Sequence, residues 1–318
     1  MARYIYKRLL NVIPTLLIVA VIVFAVTRVI PGDPAATMLG PQASVEEIAN
    51  MRIEMGLDLP IWEQFAKYIS GLFQGDLGFS YAYNMNVTEL ILERFPNTII
   101  LTVSALLIAL GIGIPAGIVS AYKRNTVIDY LVMLVSLIGV SMPVFWLGVM
   151  LVLVFSVNLG VLPATGMGNW EGGMFDFFRH LVLPSVTLAT IPMANFARIT
   201  RSSMLEVLSQ DYIRTARAKG LKEKVVIWKH ALKNALNPIL SVLGMQVAGL
   251  LGGSILTETI FSWPGMGRLV TDAIDRRDFG VVQGIVVFIA LIYILTNLII
   301  DILYKVVNPK ITYSGGGK

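Results

Sequence analysis

The sequence predicts an all-α, polytopic membrane protein with six transmembrane helices, both termini cytoplasmic, and a small helical extracytoplasmic cap. Three observations carry that prediction. Of the 318 residues, 56% are hydrophobic and only 14% charged, against about 25% charged in a soluble globular chain. Six separate runs lack Asp, Glu, Lys and Arg and approach or exceed the roughly 20 apolar residues needed to cross a bilayer. Lys and Arg gather on one side of the spans so defined. A disordered chain, a nucleic-acid arm and an ordinary soluble enzyme are excluded. With no Cys in the chain, so are disulfides, Cys-based metal or cluster sites and a thiol nucleophile.

The first run is Leu9–Thr27. Arg3, Lys7 and Arg8 before it resemble a signal-peptide n-region, but the run is longer than a usual h-region and five more spans follow, so it reads as a retained anchor. The loop 31–97 comes next. Pro31-Gly32-Asp33-Pro34 is a turn-rich exit, and Ser44 with Glu47 three residues on fits a capping box. Ile48, Met51, Ile53 and Met55 follow as a rough apolar face, with Gly56 as a stop. Trp62, Phe65, Tyr68, Ile69 and Leu72 then recur at helical spacing from Pro60 to about Phe73. Such a loop either packs over the bundle or serves as a docking surface or gate.

The second run is Phe95–Tyr122, with Gly113 and Gly117 at the spacing that lets helices approach. The third helix is placed at 131–157, with Pro143 expected to bend it. Leu181–Ala197 is the fourth and shortest, and Pro192 is expected to bend it. Ile239–Thr257 and Phe279–Ile300 complete the set, and Gly249 and Gly253 repeat the close-approach spacing.

With the N-terminus inside, the inner segments hold 17 of the 25 basic residues and 5 of the 20 acidic ones. The net charge of +5 is therefore an orientation signal rather than a nucleic-acid one. Nine of the inner basic residues crowd the loop 198–238. There Asp211 can cap a short helix over Tyr212–Lys219 that Gly220 ends. Its small residues Thr215, Ala216 and Ala218 admit close approach by another protein, and the basic residues form a rim.

No phosphate loop is present, and Gly315-Gly316-Gly317-Lys318 lacks the hydroxyl residue that would complete one. Gly111-x-Gly113-x-x-Ala116 sits in mid-membrane and reads as helix packing. His180 and His230 fall on opposite sides, so no metal site or catalytic residue is expected. Polar residues within or at the ends of spans include Asn97, Thr102, Ser104, Ser136, Ser141, Asn195, Gln246 and Asn297. Glu258, at the outer end of the fifth span, is a candidate outer gate, although an ordinary interfacial glutamate is the simpler reading. Asn86-Val87-Thr88 is read as an accidental sequon.

The inner loop resembles that of the inner-membrane permeases of ATP-binding-cassette (ABC) importers, and most closely the B-type subunit of the dipeptide/oligopeptide/nickel family. Arg214-Thr215-Ala216 with Gly220 stands at the position of the family's Glu-Ala-Ala motif, with Arg214 in place of Glu. Asp211 to Leu221, then His230-Ala231-Leu232-Lys233-Asn234-Ala235, are similar to the peptide/nickel version. Pro31-Gly32-Asp33-Pro34-Ala35, Gly75-Asp76-Leu77-Gly78-Phe79-Ser80, Glu258 through Gly267, and Asn308-Pro309-Lys310 extend the likeness along nearly the whole chain.

The resemblance implies half of a translocation path. The other half would be a homologous permease subunit. Two ATPases would bind the ATP and magnesium, so this chain would need no cofactor. An extracytoplasmic binding protein would deliver di- or oligopeptides, with nickel complexes, glutathione and sugars as alternative cargo. The chain would sit as a multi-pass protein in a prokaryotic inner membrane. The implied coupling residues are Asp211, Tyr212, Arg214, Thr215, Ala216, Arg217, Ala218, Lys219, Gly220 and Leu221, with Ala216 and Gly220 small so as not to clash with an ATPase groove. The segments are then 1–30, the external loop 31–97, and the permease core 98–318 with its coupling loop 198–238. A secondary transporter would instead show matching halves and mid-membrane charges, and neither is evident.

Overall fold

A computed structural model describes residues 2–168 and 172–307. The Asn308-Pro309-Lys310 ending and the glycine tail lie outside the described residues. The chain divides into two compact units, Met1–Thr98 with Pro264–Leu295, and Ile99–Trp263 with Thr296–Lys318.

In the first unit, α1 (Ala2–Val29) is followed by the short α2 (Pro34–Leu39), α3 (Val45–Glu54) and α4 (Ile61–Phe73). Their starts follow from local chemistry. Asp33 caps α2 by accepting the Ala35 N–H at 3.1 Å, with Pro34 at the first helical position, where its missing N–H costs nothing. Ser44 and Glu47 form the full capping box, Ser44 N–H to Glu47 Oε2 at 2.7 Å and Glu47 N–H to Ser44 Oγ at 3.2 Å. Gly56 takes a positive φ of 66° just beyond α3. Helix α4 lies on α1 through Phe65 and Tyr68, whose rings sit 5.2 and 5.7 Å from that of Phe24. Two residues depart from the expected apolar faces: Trp62 is 67% exposed and Ile53 61%. Neither is needed to seat its helix.

The motif Gly75 to Ser80 forms a turn and then β1 (Phe79–Ser80), paired antiparallel with β2 (Met85–Asn86). This ribbon is a β element that the all-α expectation did not contain. It is anchored by buried Asp278, which accepts from Ser80 Oγ at 2.5 Å and the Ala82 N–H at 3.3 Å. Gly280 is glycine for want of space, since a Cβ there would sit 2.5 Å from the Phe79 carbonyl oxygen. Helix α13 (Met266–Asp275) follows the turn Trp263-Pro264-Gly265, where Asn97 donates to the Pro264 carbonyl at 2.8 Å and the Met266 N–H donates to Thr98 Oγ1 at 2.8 Å. Helix α14 (Phe279–Val307) is tied to α1 by a buried bond from Gln283 to Thr27 Oγ1 at 2.6 Å.

Helix α5 (Val87–Tyr122) begins eight residues before the predicted Phe95, so the loop expected to be external ends in helix rather than coil. The third predicted helix is not a single rod. It divides into α6 (Val127–Ser141) and α7 (Val144–Leu151), the latter continued by a π-helical turn Val152–Asn158, and the two parts are bent by 104°. Proline causes the break. Pro143 has no N–H to donate, and it pushes Met142 to an extended ψ of 131°.

Helix α8 (Gly173–Leu208) runs unbroken through Pro184 and Pro192 and is the central element of the second unit. It packs on α5 where that helix has no side chains: a Cβ at Gly113 would sit 2.5 Å from the Met193 carbonyl oxygen, and one at Gly117 2.5 Å from that of Ala197. That close-approach pair is thus an intrachain contact. At Gly249 no atom lies within 4 Å of an added Cβ.

Helix α9 (Asp211–Ala218), the single turn α10 (Glu223–Val225) and a π-helical turn Val226–Ala231 lead into α11 (Leu232–Gly253) and α12 (Ile255–Ile260). The core is built from Leu101, Ala105, Ala109, Leu188, Phe196, Ile239, Leu250 and Trp263.

Among the described residues, Leu10–Val29, Val87–Tyr122, Gly173–Leu208 and Phe279–Ile300 are long and apolar enough to cross a membrane, and the bent α6–α7 pair is a fifth if taken as one span. The fifth run from the sequence, Ile239–Thr257, falls on α11 and α12, which meet at Ser254.

Candidate coupling site

Helix α9 is amphipathic, and its buried side faces its own chain. Ile213 is fully buried and Ala216 is 8% exposed, both in a cluster with Ile118 and Ala121 of α5, Met204 of α8, Val226, Ile227 and Ala231 of the π-helical turn, and Ala235 of α11. Burying Ile213 alone is worth about 1.5–3 kcal/mol. The short helix is therefore seated against three long helices at once. Tyr212, Arg214, Thr215, Ala218, Lys219, Gly220 and Leu221 are left exposed.

Two expectations change here. Asp211 is the first helical residue and Gln210 occupies the cap, without a side-chain bond. Asp211 contributes instead as an acid in the first turn, where the helix dipole favours it, and forms a loose, exposed pair with Arg214 at 3.6 Å. The small-residue stripe is split: Ala216 is small because its own core is tight, while Thr215 and Ala218 face outward. Gly220 adopts φ 74°, which glycine takes without strain, and an added Cβ would meet no atom of its own chain within 4 Å.

Beyond Gly220 the chain is strapped back by a bidentate pair, Arg217 Nε and Nη2 to the two Glu223 carboxylate oxygens at 3.2 and 2.7 Å. Those bonds hold the Glu223 carboxyl below its ordinary range and raise Arg217. Glu223 was not singled out from the sequence, although an acid six residues after Arg217 across a glycine turn was a readable signal.

A second anchor lies on α6 and α8. Asp129 is 2% exposed. It accepts from Arg201 Nε at 2.6 Å and Nη2 at 2.8 Å, from Ser120 Oγ at 2.5 Å and from the Asn125 N–H at 3.0 Å. One carboxylate thereby ties the end of α5, the following turn and the start of α6 to α8, seven residues before that helix ends. The sequence counted Arg201 as one of nine loop cations, but pairing across 72 residues cannot be read from spacing.

Glu258, the candidate outer gate, is fully enclosed in its own unit. It is 0% exposed, its Oε1 accepts from Ser254 Oγ at 2.8 Å, and its carbonyl oxygen accepts the Trp263 N–H at 2.8 Å. Turn geometry accounts for the enclosure: α12 is only six residues long and folds the Glu258 side chain back onto Ser254, one turn earlier.

Comparison with known proteins identifies the family. Residues 113–313 match the family model described as the binding-protein-dependent transport system inner membrane component, and residues 1–102 match the model of that component's N-terminal part. The chain is 47% identical to the dipeptide transport system permease protein DppB of Alkalihalophilus pseudofirmus, over 98% of this chain and 100% of that one. It is 44% identical to the DppB of Escherichia coli, over 98% and 99%. It is also 44% identical to the glutathione transport system permease protein GsiC of Escherichia coli, over 98% and 100%. Among solved structures, an inward-facing MetNI methionine ABC transporter chain aligns with TM-score 0.57 at 18% identity, over 70% of this chain and 97% of that one. An amino acid ABC transporter crystallised with histidines gives TM-score 0.51 at 17% identity, over 70% and 95%. At those identities the structures speak for the fold alone. The chain belongs to the binding-protein-dependent transport system inner membrane components, and is a multi-pass inner-membrane permease of the dipeptide group of ABC importers.

Proposed function

We propose that this chain is one of two permease subunits of an ATP-driven importer for di- and oligopeptides. In this reading it crosses the membrane six times with both termini cytoplasmic. The four long helices, the bent α6–α7 pair and α11 supply the crossings, and the excess of Lys and Arg on the segments taken as inner supports the orientation. A homologous permease completes the path, two partner subunits bind and hydrolyse magnesium–ATP, and an extracytoplasmic binding protein delivers the cargo.

The observation that carries the coupling role is the seat of α9. Its apolar side is locked by Ile213 and Ala216, while Tyr212, Arg214, Thr215 and Lys219 face away from the chain. A partner that pushes on that outward face moves α5, α8 and α11 together, because the packed cluster does not yield. The Arg217–Glu223 strap keeps the connection after α9 stiff, and the Asp129–Arg201 anchor extends the same motion to α6. ATP binding in the partners would thus become a rigid-body displacement of the path.

The test is reconstitution in vesicles of this chain with its homologous permease, its ATPases and its binding protein. Uptake of labelled dipeptides that requires all components and ATP is the expected result, with glutathione, a nickel chelate and a sugar in the same panel. Uptake by this chain alone, driven by an ion gradient, would overturn the reading.

A further inference from the structure

Helices α8 and α11 flank an open cleft of about 500 Å³ lined by Asn195, Arg198, Ile199, Ser202, Val242, Met245 and Gln246. The spacing explains the lining: 195, 198, 199 and 202 share one face of α8, and 242, 245 and 246 one face of α11. The cleft gathers two of the span polar residues noted from the sequence, Asn195 and Gln246, and adds a cation and a hydroxyl. Among the described residues no hydrogen bond or ion pair engages the side chains of Asn195, Arg198, Ser202 or Gln246. Elsewhere in α8, Thr187 and Thr190 bond their own backbone. Arg198 lies just beyond the fourth predicted span and is exposed, so its guanidinium is available to a ligand in the cleft.

We propose that this cleft is a peptide-holding subsite on the translocation path. Arg198 takes the C-terminal carboxylate, and Asn195, Ser202 and Gln246 hydrogen-bond the peptide backbone. The inference rests on the peptide-importer reading and deepens it. The dimensions suit a short chain: Asn195 and Ser202 are about 10 Å apart along the helix, and an extended dipeptide spans about 7 Å. Among the described residues the lining contains no carboxylate to receive an ammonium group, so the acid end of the peptide is the end that is held. Guanidinium and carboxylate match as a bidentate, charge-assisted pair. The remaining lining suits varied side chains. Met245 is 65% exposed and adaptable, and the amides bond to backbone groups that every peptide shares.

The test uses the reconstituted complex and two variant series. The binding protein can itself read a carboxylate, so the first readout is the change in the uptake ratio of a free-acid dipeptide to its C-terminal amide. Arg198→Gln should lower that ratio about tenfold through loss of free-acid uptake, while Arg198→Lys keeps a larger part of it. The second series exploits the absence of cysteine. Ser202→Cys and Gln246→Cys should react with a negatively charged methanethiosulfonate, and millimolar dipeptide should slow the reaction. An unchanged ratio in Arg198→Gln would overturn the subsite while leaving the peptide reading intact. So would no labelling, as expected if the second permease covers this face, or labelling that dipeptide does not slow, as expected if the cleft holds lipid headgroups. Absence of uptake of every peptide by the unmodified complex would overturn both.

Discussion

Removing the Asp129 carboxylate should be one of the most damaging conservative changes in the second unit. Four donors converge on it, and the side chain is 2% exposed, so Asp129→Ala leaves the Ser120 hydroxyl, the Asn125 N–H and the Arg201 guanidinium without an acceptor. Breaking a buried ion pair from one side costs about 3–5 kcal/mol, mostly as the penalty of the charge left behind. The Arg201 side chain is 25% exposed and recovers some hydration, which places the expected loss near the lower end, about 3 kcal/mol. Asp129→Asn keeps one acceptor oxygen but turns an amide NH2 towards a donor, so it should lose about 2 kcal/mol. Arg201→Ala in the Asp129→Ala background should cost much less than in the wild type, because no buried charge is then abandoned. The assay is unfolding in mixed micelles followed by tryptophan fluorescence, arranged as a double-mutant cycle. A coupling below about 0.5 kcal/mol, the scatter of independent sites, would refute the argument that this anchor binds α6 to α8.

The packing of α5 on α8 predicts that Gly117→Ala loses about 1–3 kcal/mol through overpacking, whereas Gly111→Ala, with nothing within 4 Å, leaves the yield of folded protein unchanged in size-exclusion profiles. On α9, Ala216→Asp should lower thermal stability because it buries a carboxylate in a tight cluster, while Thr215→Asp should keep stability and reduce transport per ATP hydrolysed; equal stability of the two variants would count against the seat described. Glu223 has its folded-state pKa lowered by Arg217, so its contribution is present above the ordinary carboxylate range and is lost as pH falls through the lowered value. Protection against hydrogen exchange over residues 211–225, corrected for the intrinsic slowing of exchange in acid, should therefore fall at acid pH and high salt in the wild type but not in Glu223→Gln. Glu258→Gln retains an oxygen for Ser254 and should fold normally, whereas Glu258→Leu leaves that hydroxyl buried and should reduce the amount of intact protein on gels.

Much of the local structure was legible because its causes are local. The capping box at Ser44, the stop at Gly56 and the turn at Gly220 each depend on a few consecutive residues. Pro143 was readable as a bend, but not as a 104° break, because the size of a kink depends on what packs on either side. The start of α5 at Val87 was missed because charged residues such as Glu89 and Glu93 end an apolar run without ending a helix. The short helix α9 was read from Asp211 and Gly220, and its boundaries were nearly right. Which side of α9 faces the chain was not readable, since alanine serves equally well in a core and at a docking surface.

By itself the sequence determined the class and the address. An apolar composition broken into runs of spanning length, with basic residues on one side, leaves few alternatives to a multi-pass membrane protein, because lipid tolerates neither charges nor unpaired backbone. The ordered motifs along the chain named the family that the comparisons then established. Tertiary structure alone decided the partners of the charged and polar residues. It placed Asp129 on Arg201, 72 residues away, Ser80 on Asp278, 198 residues away, and Asn195 across a cleft from Gln246. The physical reason is the range of the forces. Hydropathy, capping and turn geometry act over a few residues and are written in the order of the chain. A buried carboxylate must find its donors wherever the packed helices bring them.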